Sequence, residues 1–249
     1  MKNDNLIKQL DEAIRAGMPD SDVKTWSLKY LKSHQNRYLV ELNQLESLVK
    51  GGDRVLEIGS APFHMTYLLS KSGYRVNGWD IGPERFENFI KVNDLTIERV
   101  NIETDSVAGR SNHFDVILFN EVFEHLRMNP IETLQKICSM LVPKGLLMLS
   151  TPNLNSFGNL LSFVKGKGFD NPYREFNKLN TIGHMGHVRE YTAEQVCLFL
   201  ENTGFDIQKV RYLDFGNTPR GLNKYAILKM IYKSLPSRRP FFQIIARKK

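Results

Sequence analysis

The 249-residue sequence predicts an α/β domain: a doubly wound, mostly parallel sheet with an N-terminal helical cap and a loop-rich insertion. Three observations point there. From Asp53 onward, short and nearly unbroken apolar runs alternate with helical patterns, which is how strands covered on both faces by crossover helices read. Before Gly51-Gly52 the apolar residues keep helical spacing instead. The length suits one large core with a small appendage.

The elements follow in order. Leu6, Ile7, Leu10 and Ile14 form one stripe; Tyr38, Leu42, Leu45 and Val49 form a second, stopped by Gly51-Gly52, so residues 1–50 are the cap and 51–249 the main domain. RVLEIG (54–59) is a buried strand followed by a helix over 62–72. YRVNGWD (74–80) is a second strand, with a helix starting near Pro83. TIERV (96–100), FDVILFN (114–120) and GLLMLS (145–150) are further strands, and residues 130–141 are a helix. Residues 151–191 hold five Gly and two Pro and are too long for a simple connection, so they form the insertion. A helix restarts at Thr192, spaced from Gln195 as a capping box, and ends at Gly204. FDIQKVRYL (205–213) and FFQIIARK (241–248) are closing strands, with a cationic helical segment (216–239) between them.

Composition narrows the function classes. Apolar and charged fractions of 41% and 24% exclude wholesale disorder. The opening MKNDNLIKQLDE is not a signal peptide, and no apolar run reaches the ~18 residues of a membrane span. Cys138 and Cys197 make neither a disulfide framework nor a metal knuckle, so a reducing cytoplasm is expected. The net charge of +7 is concentrated: residues 209–249 hold eleven basic residues and one acid, leaving −3 for residues 1–208. That argues against a nucleic-acid groove across the body. It suggests a peripheral patch in the C-terminal segment for an anionic membrane or carrier.

Ligands of open α/β sheets bind beyond the carboxyl ends of the strands. The first strand ends in Glu57-Ile58-Gly59-Ser60-Ala61-Pro62-Phe63. The dinucleotide fingerprint would need Gly at 61 and 64, where Ala61 and His64 stand. Asp80 ends the second strand, 21 residues after Gly59, placed to accept from ribose hydroxyls. A ribose site without a pyrophosphate site indicates a nucleoside-type ligand. Asn101-Ile102-Glu103 follows the third strand and can edge a purine. Asn120-Glu121-Val122-Phe123-Glu124-His125-Leu126 follows the fourth, and Ser150-Thr151-Pro152-Asn153 the fifth.

Together, VLEIGSAPFHMTYLL, GYRVNGWDI, FDVILFNEVFEHL, PKGLLMLSTPN and GHVREYT resemble the class I S-adenosylmethionine-dependent methyltransferases. The likeness is to the bacterial branch that methylates sugars of surface glycans and related small molecules. It covers about residues 50–215 and implies a Rossmann-like, seven-stranded sheet with a reversed last strand. It implies S-adenosylmethionine as cofactor. Glu57 and Gly59, with Ser60 and Ala61, would hold its methionine end; Asp80 and Ile81 its ribose; Ile102 and Glu103 its adenine. Asn120 and Glu121 would line the sulfonium side. The usual G-x-G-x-G loop here has Gly59, Ala61 and Phe63, and Phe63 narrows it.

A sugar hydroxyl is a poor nucleophile, so a positioned base helps, and His125 is the candidate. Glu124, Asn153, His184, His187 and Tyr191 are expected to face the acceptor. His184, His187 and Glu190 match no zinc spacing, so no metal is expected. Three rivals stand beside the glycan acceptor. Quinone and lipid methyltransferases share the fold and the E-H-L run. An RNA enzyme would place a [DN]-P-P-[YF] tetrad where Asn120-Glu121-Val122-Phe123 stands. A non-catalytic cofactor-binding subunit has only Phe63 in its favour.

Overall fold

A computed structural model describes residues 2–19, 21–168, 171–182, 186–215 and 222–249. Seven strands form one sheet in the order β3-β2-β1-β4-β5-β7-β6, where β1 is Arg54–Ile58, β2 Arg75–Asp80, β3 Ile97–Arg99, β4 Phe114–Asn120, β5 Leu141–Pro152, β6 Phe205–Leu213 and β7 Phe241–Lys248. β1 runs parallel to β2 and β4, and β2 to β3. β7 is antiparallel to both β5 and β6 and is the reversed strand. The helices are α1 (Lys2–Gly17), α2 (Asp22–Glu46), α3 (His64–Lys71), α4 (Glu87–Val92), α5 (Pro130–Met140), α6 (Phe157–Val164), α7 (Pro172–Ile182), α8 (Ala193–Asn202) and α9 (Leu222–Ser234).

The chain divides into two compact units, Met1–Leu118 with Met140–Gly145, and Phe119–Ser139 with Leu146–Lys249. In the first, Leu10 and Ile14 of α1 and Leu42 and Leu45 of α2 are buried, as their spacing predicts. Ser21 caps α2 by accepting from the Lys24 amide at 3.3 Å. Val55, Leu56 and Ile58 carry the core through β1, and Arg54 forks onto Asp115 with two 3.0 Å hydrogen bonds that tie the starts of β1 and β4. The helix expected near Pro83 begins as a 3-10 turn over Pro83–Phe86 before α4.

In the second unit the capping box is complete: Thr192 Oγ1 accepts from the Gln195 amide at 3.2 Å, and Gln195 Oε1 from the Thr192 amide at 3.1 Å. Gly204 ends the helix region at φ 100°, where a Cβ would come 2.9 Å from Cys138 Sγ. Phe205, Phe242 and Ile244 of β6 and β7 and Val196 and Leu200 of α8 are all buried. Two expectations change. The insertion contains helices α6 and α7, of eight and eleven residues, at or below the length over which a helical stripe repeats clearly in sequence. β5 extends beyond 145–150 at both ends. Of the cationic segment 216–239, α9 and a 3-10 turn over Pro236–Arg238 are seen, and residues 216–221 lie outside the described residues.

Candidate active site

The cofactor residues of the first unit surround the ends of β1 and β2. Gly59 turns the chain at φ 72°, and its amide and that of Ser60 both donate to the Trp79 carbonyl, at 2.8 and 3.1 Å. The Asp80 carboxylate accepts from the Ala61 amide (3.0 Å) on one oxygen and the Gly82 amide (3.0 Å) on the other. Each oxygen keeps a second lone pair, so Asp80 is held rigidly and still able to accept from a pair of hydroxyls. Ile81, exposed beside it, offers apolar surface at the same edge. Ile102 is buried, and the Glu103 amide donates to Asn101 Oδ1 at 3.0 Å, fixing the turn after β3.

Phe63 does not narrow this loop. It follows a cis Ala61-Pro62 bond, adopts φ 66°, and is wholly buried with its ring edge-on to Phe86 at 5.4 Å. A large side chain directed into the core leaves the loop's inner face to backbone, as the third glycine would.

Glu57 keeps partial exposure, yet burial of its carboxyl pushes its pKa up to about 8; the Thr66 hydroxyl, which donates to it, and the Arg37 charge pull the other way. Glu41 and Asp80 add further upward pressure. Arg37 and Glu41 of α2 were not singled out by the sequence, although they stand i, i+4 beside the apolar stripe that Tyr38 begins. The nearly buried Arg37 is the cation suited to a ligand carboxylate, and Glu57 the acid suited to an ammonium. An amino-acid end with both charges fits this pair, as hydroxyls fit Asp80. Next to them His64 is wholly buried between Ser27 Oγ (2.8 Å) and Tyr38 Oη (3.3 Å), and burial pushes its pKa down to about 3.

Asn120 and Glu121, expected on the sulfonium side of the cofactor, lie in the second unit with the residues expected to face the acceptor. Asn120 ends β4 with its Oδ1 buried and without a hydrogen-bond partner, an acceptor waiting for a donor from a ligand. Glu121 sits at φ 57°, its amide on the Ser150 carbonyl (2.8 Å) and its Oε1 accepting from Ser150 Oγ (2.9 Å). Glu124, 1% exposed, accepts from Thr151 Oγ1 at 2.9 Å, and burial with the neighbouring Glu121 charge raises its pKa to about 8. Its backbone carbonyl accepts from the amides of Val188 and Arg189, at 2.8 and 3.2 Å. That fastens the end of the insertion to the turn after β4.

His125 is held by this fastening. Its Nδ1 lies 3.0 Å from the Gly186 carbonyl oxygen, which can only accept, so Nδ1 carries the proton and Nε2 the lone pair of the neutral ring. Nε2 stands 3.8 Å from Glu124 Oε1, and the ring meets His187 edge-on at 5.1 Å. His187 is positioned by Glu190, 3.4 Å from its Nδ1, and by its amide on Glu175 Oε2 at 3.2 Å. Glu124, His125 and His187 bring possible metal-ligand atoms within 4.8 Å of one another, a grouping that sequence spacing does not disclose. Tyr191 packs instead between Phe123 (4.8 Å) and Phe199 (6.0 Å), and Asn153 engages its amide with the Ser237 and Arg239 carbonyls, at 2.9 and 2.8 Å. Both brace the site rather than line it. His184 lies outside the described residues.

A ribose-type acceptor and an ammonium–carboxylate pair in a reversed-strand α/β sheet define a domain that takes an amino-acid-bearing nucleoside. The chain matches the model of a family described as a methyltransferase domain over residues 30–210, and it belongs to that family. S-adenosylmethionine is the cofactor this family and fold imply. A ubiquinone biosynthesis O-methyltransferase of Cereibacter sphaeroides is 31% identical over 107 residues, covering 42% of this chain and 43% of that protein. The chain thus spans less than half the length of that relative. A ribosomal RNA large subunit methyltransferase E of a Wolbachia species is 23% identical over 168 residues, 67% of this chain and 76% of that protein. A crystal structure of a SAM-dependent methyltransferase from Archaeoglobus fulgidus superposes with a TM-score of 0.60 at 19% identity, covering 88% of this chain and 99% of that one.

Proposed function

We propose that the chain transfers the methyl group of S-adenosylmethionine to a hydroxyl of a small-molecule acceptor, with a sugar hydroxyl of a surface glycan or its precursor as the first acceptor class. The observation that carries this reading is the Nδ1–H of His125 on the Gly186 carbonyl, which directs a neutral, proton-accepting Nε2 away from that bond. S-adenosylmethionine, when bound, would supply an electrophilic methyl carbon and keep the bonding pair on its sulfur. Arg37, Glu57 and Asp80 would hold its two ends. The hydroxyl proton passes to His125 Nε2 as the oxygen forms its new bond, and the buried Asn120 Oδ1 stands ready to accept from a bound group. Alignment by these groups and proton acceptance by His125 contribute separately to the rate.

A phenolic hydroxyl of a quinone precursor is the second reading, favoured by the likeness to ubiquinone biosynthesis O-methyltransferases. Phenols ionise near pH 10, so they lean less on a base than sugar hydroxyls do. The test is a labelled-methyl transfer screen with nucleotide sugars, lipid-linked glycans, polyprenyl phenols and RNA. Labelled sugar supports the first reading and labelled phenol the second. Label only in RNA overturns both.

A further inference from the structure

Helix α2 carries rings at four successive i, i+4 positions, Trp26, Tyr30, His34 and Tyr38, which places them in a row along one side. Trp26 and Tyr30 lie 5.1 Å apart, and Tyr30 and His34 are stacked at 3.9 Å with their planes 17° apart. The Nδ1 of His34 lies 2.9 Å from the Tyr30 carbonyl oxygen, which keeps the imidazole face turned onto the phenol. Burial lowers the His34 pKa below its ordinary value, so the ring stays neutral next to Arg37. Tyr38 ends the row edge-on to His64 at 5.7 Å.

Arg37 is fastened to this row. Its Nη2 donates to Tyr30 Oη at 3.4 Å, its Cζ lies 5.3 Å from the centre of the Tyr38 ring, and its Nε stands 3.9 Å from Glu41 Oε1. Attraction to a ring face or to a carboxylate at that distance tolerates rotation of the guanidinium, whereas a hydrogen bond fixes its plane. A planar fork that grips a carboxylate with two parallel N–H bonds loses less freedom on binding when its plane is already set. The other end of the row stands on the support of the loop after β1: Trp26 meets Phe86 at 6.1 Å, and Phe86 meets Phe63 at 5.4 Å. The row therefore ties Arg37 to that loop.

We propose that Tyr30 is a positioning residue that sets the Arg37 guanidinium for the carboxylate of S-adenosylmethionine, and so gives the site its preference for a nucleoside bearing a whole amino acid. This rests on the reading of Arg37 as the partner of that carboxylate. The test is calorimetric binding of S-adenosylhomocysteine, which carries the carboxylate, and of 5′-methylthioadenosine, which has neither carboxylate nor ammonium. Tyr30→Phe keeps the stacked ring and removes only the hydroxyl. It is expected to weaken S-adenosylhomocysteine by about three- to tenfold, and to leave 5′-methylthioadenosine binding and the urea midpoint unchanged. Arg37→Gln should weaken S-adenosylhomocysteine further, and Tyr30→Phe should add nothing in that background, because the hydroxyl acts through the guanidinium. If Arg37→Gln weakens S-adenosylhomocysteine and Tyr30→Phe does not, the proposal is overturned and the reading of Arg37 stands. An equal loss for both ligands in Tyr30→Phe, or a loss that persists in full beside Arg37→Gln, overturns it too. Arg37→Gln that binds S-adenosylhomocysteine as tightly as the wild-type chain overturns the reading of Arg37 itself.

Discussion

The Nδ1 of His125 donates to the carbonyl of Gly186, 61 residues further along the chain, and this one bond decides which nitrogen of the ring can take a proton. His125→Ala should lower turnover by about 10²–10⁴-fold while leaving the dissociation constant for S-adenosylmethionine unchanged. The pair of measurements separates proton acceptance from binding. Unchanged turnover would remove His125 as the base.

The same bond makes Gly186 sensitive to any side chain. A Cβ there would overlap Glu175 Oε2, the atom that accepts from the His187 amide and pairs with Lys178. Gly186→Ala must therefore displace Glu175 and shift the carbonyl that orients His125. Turnover should fall by up to about 10²-fold with cofactor affinity intact. Glu175→Gln, which keeps the acceptor oxygen, should lose far less; equal losses would mean that Glu175 acts through charge.

The layout of the fold was legible because its strands are unbroken apolar runs and its first helices carry buried stripes. The strand-end residues were legible for the same reason: once β1, β2 and β4 are placed, Glu57, Asp80 and Asn120 must stand at their ends. What joins distant segments was not. Nothing in the local pattern around Arg37 shows that its charge bears on Glu57, or that a loop glycine holds His125. The direction of Phe63 depends on Phe86, and α6, at eight residues, is too short to repeat a helical stripe.

Asp80→Ala should abolish cofactor binding, since it removes both the hydroxyl acceptor and the anchor of the Ala61 and Gly82 amides. Glu57→Gln is subtler. With its pKa near 8, Glu57 is largely protonated at pH 7, and an ammonium bound beside it favours ionisation. Cofactor binding should therefore release a proton and tighten as pH rises from 6 toward 8. Calorimetry in buffers of different ionisation enthalpy measures that proton directly. It should vanish in Glu57→Gln, and its persistence there would assign it to another group.

His64 predicts an acid limit to stability. Burial lowers its folded pKa to about 3, against an unfolded value near 6.5. Between those values the unfolded chain binds the extra proton, so stability falls as pH drops through that window. The surrounding charges are Arg37 and His34, both of which also disfavour imidazolium. His64→Gln, which keeps hydrogen-bonding capacity, should flatten the dependence of the urea midpoint on pH below 6.5. An unaltered slope would place the acid sensitivity elsewhere.

Glu124 acts in the opposite direction. Its folded pKa of about 8 lies above the ordinary carboxyl value of 4.5, so between the two the folded chain holds the extra proton and stability falls as pH rises. Near pH 8 it ionises, placing a negative charge beside Nε2 of His125, 3.8 Å from Oε1. A carboxylate there attracts the positive charge that develops as the ring takes the acceptor's proton. Turnover should then climb between pH 7 and 9 in the wild-type chain, over the range where its stability has already declined. In Glu124→Gln, which can still accept from Thr151 Oγ1, the climb should disappear and the alkaline loss of stability should shrink. A climb that survives in Glu124→Gln would mean that the titrating group is the acceptor hydroxyl itself, and would favour a phenol over a sugar.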